Sequence, residues 1–360
     1  MKPFVYNALP SRILFGATVT EILPAEIERL SCRCALLLST PAQAEMVSAI
    51  ARAIGPAAGG LFSEAAMHTP VDVTEKAMRA LQQAGADCIV AIGGGSTIGL
   101  GKALALRTDL PQIAVPTTYA GSEVTPILGQ TETRRKTTLR TPKVLPEVVI
   151  YDTGLTLGMP ARLTVTSGMN AIAHAVEALW AQDSNPVIEL LAERGIAALA
   201  RSLPVLVQDG GNWEARSDAQ FGAWACGTCL GAVGMSLHHK LCHVLGGSFD
   251  LPHSETHTII LPHVVAALLP KLPQVHETLA RILDTGAPAG RLYDIPAEFG
   301  AHMALRDLGM PKQGIAKAVR EVFESGYFMP ASVTEEELSV LLDHAWHGRR
   351  PEDVEKNAGF

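Results

Sequence analysis

The sequence predicts an α/β domain built on a parallel sheet over residues 1–160, followed by an all-helical domain over residues 161–360. Three observations support this. The chain has 360 residues, more than one hydrophobic core usually organises. Its first part alternates short apolar runs with helical segments. After Met159-Pro160 no strand pattern is evident, and helical periodicity continues to the end.

In the first domain, uncharged apolar runs predict buried strands, because strands covered on both faces carry continuous apolar sequence. These strands are residues 35–38, a strand that begins at Leu61-Phe62, and residues 88–92, 113–115 and 148–151. Helices are predicted between them at residues 42–54, 71–84 and from Ser96 to about Leu106, with Gly85 as a C-cap. Strands that alternate with helices of this length predict βαβ units and a Rossmann-like sheet.

The second domain is predicted to consist of helices. The segments are residues 167–181, 186–206, 213–233, 237–247, 257–268 and 272–283, with several more beyond. Cys226 and Cys229 form a CxxC in one of them. Because this stretch is rich in Ala and Gly, we expect both thiols to pack as small apolar side chains.

Composition excludes several classes of protein. Apolar residues make up 48% of the chain and charged residues 18%, which argues against disorder, and the formal charge of −7 argues against a nucleic-acid partner. No run of about 18 apolar residues predicts a membrane helix. The N-terminus lacks a secretory signal pattern, so we expect a cytoplasmic protein with six reduced cysteines.

A glycine-rich turn follows the third predicted strand. Gly93, Gly94, Gly95 and Ser96 connect this strand to a helix N-terminus. Glycines let the backbone approach a pyrophosphate, and the free N–H groups and the helix dipole favour an anion. The turn is not the dinucleotide fingerprint GxGxxG, since position 98 is Ile, and therefore predicts a phosphate site only.

A second polar loop, Pro116 to Glu123, follows the next strand. Its hydroxyls at Thr117, Thr118 and Ser122 lie where ligands bind in open α/β sheets. Together the two loops predict a dinucleotide cofactor. Ser39 ends the first strand of the predicted sheet, where an acidic residue would favour NAD over NADP. Without one, we expect weak discrimination between NADH and NADPH.

The second half of the chain is rich in histidine. Asn170, His174 and Glu177 share one helix face at spacings i, i+4 and i+7. Six of the twelve histidines fall between residues 238 and 263, with Lys240 among them. Histidines on separate helices are typical of a metal site, but the neutral amide of Asn170 is a poor ligand. Proton transfer and anion recognition by His and Lys are the alternative.

Four motifs resemble the iron-containing alcohol dehydrogenase superfamily. They are GGGSxxxxxKA, PTTxxGSE, NAxxHxxEA and HHKLCHVLGGxxxxPHxxxHxxxLPH, starting at Gly93, Pro116, Asn170 and His238. The resemblance implies a dehydroquinate synthase-like fold with an α/β cofactor domain, a helical domain and a homodimer. In metal-binding members an Asp and three His hold the metal, at positions that match Asn170, His174, His239 and His253. The carboxylate is missing here, and Gly99 replaces a common Asp in the glycine loop.

Asn170 and the HHKLCHVLGG motif that starts at His238 resemble the maleylacetate reductase branch of this superfamily. That resemblance implies NADH- or NADPH-dependent reduction of the carbon–carbon double bond of maleylacetate, a dicarboxylate, to 3-oxoadipate in aromatic degradation, without a metal. From the charge and the lack of a membrane helix we expect no nucleic-acid or membrane partner. We expect His243 and His253 to act as acid and polarising groups. Lys240 and His239 would bind substrate carboxylates, and Asn170 and His174 would donate hydrogen bonds.

Two other functions remain open from the sequence. A metal-dependent alcohol or lactaldehyde dehydrogenase of the same superfamily needs His174, His239 and His253 to hold iron or zinc despite Asn170. A non-catalytic nucleotide-binding sensor on this fold would bind a cofactor without turnover. Metal analysis and activity after chelation would separate the first of these from a metal-free reductase.

Overall fold

The structure is a computed structural model that describes residues 3–9, 11–132 and 135–351. The chain divides into two compact units, one comprising Asn7–Met159 and the other Met1–Tyr6 with Pro160–Phe360. Among the described residues, no helix has both the length and the apolar character needed to cross a membrane.

The unit Asn7–Met159 is built on a six-stranded parallel sheet. Its strands lie in the order β1-β8-β5-β4-β2-β3. A separate antiparallel hairpin is formed by β6 and β7. The strands are β1 (Arg12–Phe15), β2 (Ala35–Leu38), β3 (Ala58–Phe62), β4 (Cys88–Gly93), β5 (Gln112–Pro116), β6 (Ile127–Glu132), β7 (Arg135–Arg140) and β8 (Val148–Tyr151).

Four helices cover this sheet: α1 (Val19–Arg29), α2 (Ala44–Ile54), α3 (Val71–Ala84) and α4 (Gly95–Thr108). Helix α3 has the predicted bounds. Its buried Thr74, Ala77 and Leu81 form one face, and Gly85 ends it in the left-handed conformation. The predicted parallel α/β sheet is therefore confirmed.

Three local predictions were incomplete. Leu61-Phe62 ends β3 rather than beginning it, because the strand starts at Ala58 and pairs with β2 through Gly60. The first strand and helix, β1 and α1, were not predicted. Neither was the hairpin β6–β7, whose sequence is mostly polar.

The connections of the sheet change direction between β2 and β4. From β2 the chain moves outward to β3, whereas from β4 it moves the other way to β5, although β2 and β4 are neighbours. In open α/β sheets ligands bind outside the carboxyl ends of strands at such a switch point. The residues that follow β2 and β4 are Ser39 and the glycine turn.

The other unit is helical throughout its described part beyond Pro160, as predicted. Its helices are α5 (Ala161–Leu179), α6 (Pro186–Gln208), α7 (Trp213–Ala232), α8 (Leu237–Phe249), α9 (His253–Leu268), α10 (Pro273–Ile282), α11 (Pro288–Glu298), α12 (Gly314–Glu324) and α13 (Glu335–His347). Cys226 and Cys229 are fully buried in α7. A Cβ at Gly195 of α6 would lie 2.7 Å from Cys226 Sγ, so the thiol fills the space between two close helices.

Candidate active site

The glycine turn forms a cradle at the carboxyl end of β4. A Cβ on Gly93 would lie 2.4 Å from Thr97 Oγ1, and one on Gly94 would lie 3.0 Å from Thr118 Oγ1. Helix α4 begins at Gly95, and no side chain caps its N-terminus. The half-buried Ser96 lies in its first turn. Thr97 N already donates to Gly94 O at 3.0 Å, so the N–H groups of Gly95 and Ser96 are the ones that an anion would use.

The loop after β5 packs directly beside this cradle. Thr117 N donates to Gly93 O at 3.0 Å. The Thr117 hydroxyl accepts a 2.7 Å hydrogen bond from Gln43 Nε2, and Gln43 Oε1 accepts from the Thr40 hydroxyl at 3.2 Å. Gln43 thus links the ends of β2 and β5 across the glycine turn. Nothing in the sequence pattern singled out this residue, since a Gln near the start of a helix is ordinary.

Two buried hydroxyls beside the cradle have no hydrogen-bond partner. They are Ser39 Oγ, at the end of β2, and Thr97 Oγ1 in α4. A buried polar atom left unpaired costs about 1–3 kcal/mol, so unpaired hydroxyls at a switch point mark a place where a ligand completes the bonding. Of the residues predicted to bind a cofactor, the structure brings Ser39, the glycine turn and Thr117 together at one edge, with Thr118 against Gly94.

Thr69 packs directly against Gly99. A Cβ at Gly99 would lie 2.5 Å from Thr69 Oγ1. Thr69 is buried and has a φ of +47°, which is strained for a β-branched residue. The Thr69 hydroxyl therefore occupies the space that an Asp side chain at position 99 would need, which accounts for the glycine there.

A buried ionisable group holds the loop after β5 in place. Lys102 Nζ donates to Thr125 O at 2.7 Å and to Ile127 O at 2.9 Å. Burial lowers the pKa of Lys102 to about 7, while nearby Glu123 opposes that shift. Glu123 in turn accepts a 2.8 Å hydrogen bond from the Tyr151 hydroxyl. The hydrogen bonds of Lys102 and Glu123 hold the residues that directly follow the segment Thr117 to Ser122.

In the helical unit, helices α5 and α8 bring four side chains into one hydrogen-bonded chain. Asn170 Nδ2 lies 3.3 Å from His174 Nε2, and His174 Nδ1 lies 2.8 Å from His239 Nε2. His239 Nδ1 lies 2.8 Å from Glu177 Oε2. All four side chains are buried. The i, i+4, i+7 spacing on α5 predicted the shared face, and the structure adds His239 as the link that joins its two ends.

The hydrogen positions in this chain follow from its two ends. The Asn170 amide nitrogen can only donate, so His174 Nε2 accepts and the proton of a neutral His174 is on Nδ1. His239 Nε2 then accepts from it, and His239 Nδ1–H donates to Glu177. His238 agrees with this assignment, because its Nε2 donates to His257 O at 3.2 Å and leaves Nδ1 to accept, 3.4 Å from His239 Nδ1.

Glu177 collects donors from the start of α8. It accepts from the backbone N–H groups of Ser236 at 2.9 Å, His238 at 2.8 Å and His239 at 3.3 Å. The Ser236 hydroxyl adds a 2.6 Å bond. Burial raises the pKa of Glu177, but the hydrogen bond from His239, with help from His238 and Ser236, outweighs it and leaves the pKa below its ordinary value. A buried carboxylate thus fixes both the helix N-terminus and the His239 ring.

Two further histidines belong to the buried cluster and were not predicted as site residues. Burial lowers the pKa of His238 to about 3 and that of His257 well below its ordinary range. The His257 ring centroid lies 4.2 Å from that of His253 and 4.9 Å from that of His239. Neither nitrogen of His257 has a hydrogen-bond partner. Their place depends on how α8 and α9 cross, which single-helix periodicity does not reveal.

The remaining predicted residues lie at the exposed edge of the cluster. His243 and His253 are exposed. The His243 ring centroid lies 6.4 Å from that of His239. Lys240 is half-buried on α8 beside His239. Exposed imidazoles therefore adjoin a buried imidazole layer, an arrangement suited to binding an anion and transferring a proton.

The buried residues do not fit the metal that the four-residue pattern implies. An amide replaces the carboxylate at position 170, and its nitrogen faces His174. His239 Nε2 is engaged by His174 Nδ1 rather than directed to an ion. Ring nitrogens of His238, His239 and His257 do lie within 4.8 Å of one another, but of these residues the pattern includes His239 alone.

Comparison with known proteins matches most of the chain to one family. Residues 10–153 match the family described as iron-containing alcohol dehydrogenase, and residues 164–346 match its C-terminal part. A maleylacetate reductase from a Rhizobium species is 51% identical over 98% of this chain and 100% of its own length.

Solved structures agree. The maleylacetate reductase from Agrobacterium tumefaciens has a TM-score of 0.94 and 51% identity, covering 98% of this chain and 100% of that one. An iron-containing alcohol dehydrogenase from Corynebacterium glutamicum has a TM-score of 0.92 and 37% identity, covering 98% and 99%.

Proposed function

Because the chain belongs to the iron-containing alcohol dehydrogenase family, we propose that it is a maleylacetate reductase. It uses NADH or NADPH to reduce the carbon–carbon double bond of maleylacetate to 3-oxoadipate. The observation that carries the proposal is the 51% identity, over 98% of this chain, to a protein of that name. The hydrogen bonds among Asn170, His174 and His239 support it, because they occupy the imidazole lone pairs of His174 and His239 that a metal would need.

The cofactor site in this proposal is the carboxyl edge of the sheet. Two observations indicate that these residues suit a dinucleotide. The backbone at Gly93 and Gly94 leaves no room for a Cβ, and the buried hydroxyls of Ser39 and Thr97 have no hydrogen-bond partner. The N-terminus of α4 holds the pyrophosphate. When bound, the nicotinamide supplies a hydride. The end of β2 offers Ser39 and Thr40 rather than a carboxylate, so a ribose 2′-phosphate is not repelled and both cofactors are accepted.

The histidine cluster acts on the substrate. Maleylacetate carries a carbonyl conjugated with its double bond, so hydride addition places negative charge on the carbonyl oxygen. An aimed hydrogen-bond donor at such an oxygen is typically worth about 10²-fold in rate. We assign that donation and the proton delivery to His243 and His253, the exposed imidazoles. Lys240 holds a substrate carboxylate. His239 was expected to do the same, but both of its ring nitrogens are bonded, to His174 and to Glu177, so we assign it with Asn170 and His174 to orienting the buried layer.

The proposal also includes an oligomeric state and a cellular location. We infer a homodimer from the family resemblance, which light scattering of the purified protein tests directly. We also infer a cytoplasmic location, which agrees with six free thiols. Cell fractionation tests the location.

The test of the function is an absorbance assay of NADH and NADPH oxidation with maleylacetate, with and without a chelator. The proposal expects turnover with either cofactor and no loss after chelation. Absence of oxidation would remove the proposal. Turnover that requires bound metal and is abolished by chelation would instead support a metal-dependent dehydrogenase. His243→Ala and His253→Ala test the assignment of roles, because a variant that kept a near-normal kcat would contradict it.

A further inference from the structure

Cysteines gather at the amino edge of the sheet, away from the candidate cofactor site. Cys32 lies just before β2, and Cys88 is the first residue of β4 and pairs with Ala35. The same two strands end in Ser39 and in the glycine turn at the opposite edge. Whatever these thiols do is therefore separate from the chemistry proposed above.

Two of these thiols and a carboxylate form a compact donor set. The sulfur atoms of Cys32 and Cys88 and a carboxylate oxygen of Asp87 all lie within 4.8 Å of one another. Bound zinc places two sulfurs about 3.8 Å apart, from Zn–S bonds of about 2.3 Å at a tetrahedral angle. The observed spread needs only small side-chain rotations to close around one ion.

The backbone holds this donor set in place. The Asp87 carboxylate accepts from Arg33 N at 2.9 Å and from Cys34 N at 2.9 Å. Cys32 Sγ lies 3.4 Å from Leu30 O and 3.4 Å from Asp87 O. The fixed carboxylate retains lone pairs for a cation, because each ionised carboxylate oxygen accepts about two bonds.

A surface cavity gives access to the group. It has a volume of about 480 Å³, and Cys32 lies in its wall with Ser31, Arg33 and Pro56. Cys32 is 7% exposed and Cys88 is fully buried. An ion entering from the cavity meets Cys32 before Cys88.

We propose that Cys32, Cys88 and Asp87 form a binding site for a soft divalent cation such as zinc or cadmium. Two thiolates and one carboxylate provide three ligands, and water from the cavity provides the fourth, which completes a tetrahedron. On binding, both S–H protons pass to solvent and two sulfur–metal bonds form. No atom is oxidised or reduced.

Cadmium is the probe, because its bonds to thiolate produce an ultraviolet charge-transfer band that bonds to imidazole do not. The full-length chain, reduced and stripped with chelator, is titrated with cadmium alone. We expect one ion per chain with the band present. Cys32→Ala should weaken binding by at least about tenfold, because it removes a direct ligand and even changes to outer-shell partners typically cost about 10–100-fold in metal affinity. Activity with NADH and maleylacetate should be unchanged in this variant.

Two matched variants make the result specific. Cys34 lies at the same edge, but its sulfur is directed to Ala84 O at 3.5 Å, so Cys34→Ala should bind like the parent chain. Cys242 lies 3.6 Å from His238 Nε2 in the histidine cluster, so Cys242→Ala tests whether cadmium binds there instead. The proposal is overturned if Cys32→Ala retains the band and the affinity, or if Cys242→Ala abolishes them. Because Cys32 is near the surface, its variant does not depend on tolerance of a change at Cys88.

Discussion

Replacing Glu177 with Gln tests the central claim about the histidine cluster, which is that one buried carboxylate sets the hydrogen positions of the imidazoles. The carboxylate accepts five hydrogen bonds, three from backbone N–H groups, one from the Ser236 hydroxyl and one from His239 Nδ1. In Glu177→Gln one carboxylate oxygen is replaced by an NH₂ group, which donates and therefore cannot accept the hydrogen bonds of these donors.

The magnitude follows from the number of bonds that are lost. The Oε2 atom serves Ser236 N, His239 N and His239 Nδ1, while Oε1 serves the Ser236 hydroxyl and His238 N. Whichever oxygen is replaced, at least two donors lose a charged acceptor. Leaving a buried donor without its acceptor typically costs about 1–3 kcal/mol, and more where a charged group is involved. We therefore expect the free energy of unfolding to fall by about 3 kcal/mol or more.

The effect on catalysis is distinct from the effect on stability. If the Gln amide donates to His239 Nδ1, the ring must carry its proton on Nε2, where it meets the proton on His174 Nδ1. The hydrogen-bond chain is then broken at its 2.8 Å link. Positioned acid–base groups contribute about 10²–10⁴-fold, so kcat for maleylacetate should fall by about 10²-fold or more, with a displaced pH profile.

The assay is steady-state oxidation of NADH as a function of pH, with urea unfolding of the same samples. Glu26→Gln is the matched control. Glu26 is 5% exposed and pairs with Arg12 at 3.1 Å and Arg29 at 2.7 Å in the other unit. Its loss should lower stability and leave kcat and the pH profile nearly unchanged. If Glu177→Gln behaved in the same way, the carboxylate would serve only to stabilise the fold and the assignment of hydrogen positions would be wrong.

Three further predictions concern other parts of the structure. Asn170→Asp should raise zinc affinity, measured as metal retained after dialysis, because it restores an anionic ligand beside His174; equal retention in the parent chain would contradict this. Gln43→Ala should raise the KM for NADH about fivefold, the equivalent of about 1 kcal/mol for the lost bond to Thr117, whereas the exposed Gln82→Ala should not. Burial lowers the pKa of His263 from 6.5 to about 3, so its contribution to stability is full above pH 6.5 and is lost as pH falls toward 3. Urea unfolding of His263→Gln should therefore depend less on pH in this window, by up to about 1.4 kcal/mol per pH unit, and an identical slope would refute the assignment.

The sequence could predict the features that depend on local pattern. The buried strands β2, β4, β5 and β8 are continuous apolar runs, and α3 has clear helical periodicity with a glycine C-cap. The strand β1 escaped prediction because its four residues are only partly buried, and α1 because Pro24 lies inside it. The hairpin β6–β7 has no apolar alternation to recognise.

The candidate site divides in the same way. The spacing of Asn170, His174 and Glu177 predicted a common helix face, which the hydrogen-bond chain uses. The roles of Gln43 and His257 depend instead on which loops and helices become neighbours. Gln43 is 74 positions away from the Thr117 that it contacts. Long-range contacts of this kind leave no periodic trace in a single sequence.

The orientation of the Asn170 amide determines how many protons His174 and His239 carry together. With its nitrogen toward His174 Nε2, as observed at 3.3 Å, both imidazoles of the chain are neutral. If the amide is turned to present its oxygen, His174 Nε2 must carry a hydrogen, His174 Nδ1 accepts from His239 Nε2, and His239, still donating to Glu177, becomes an imidazolium. That state offsets the charge of Glu177 and so favours a dianionic substrate. A carboxylate at this position would add a second buried negative charge beside that of Glu177, which a bound metal ion would balance, whereas the neutral amide adds none.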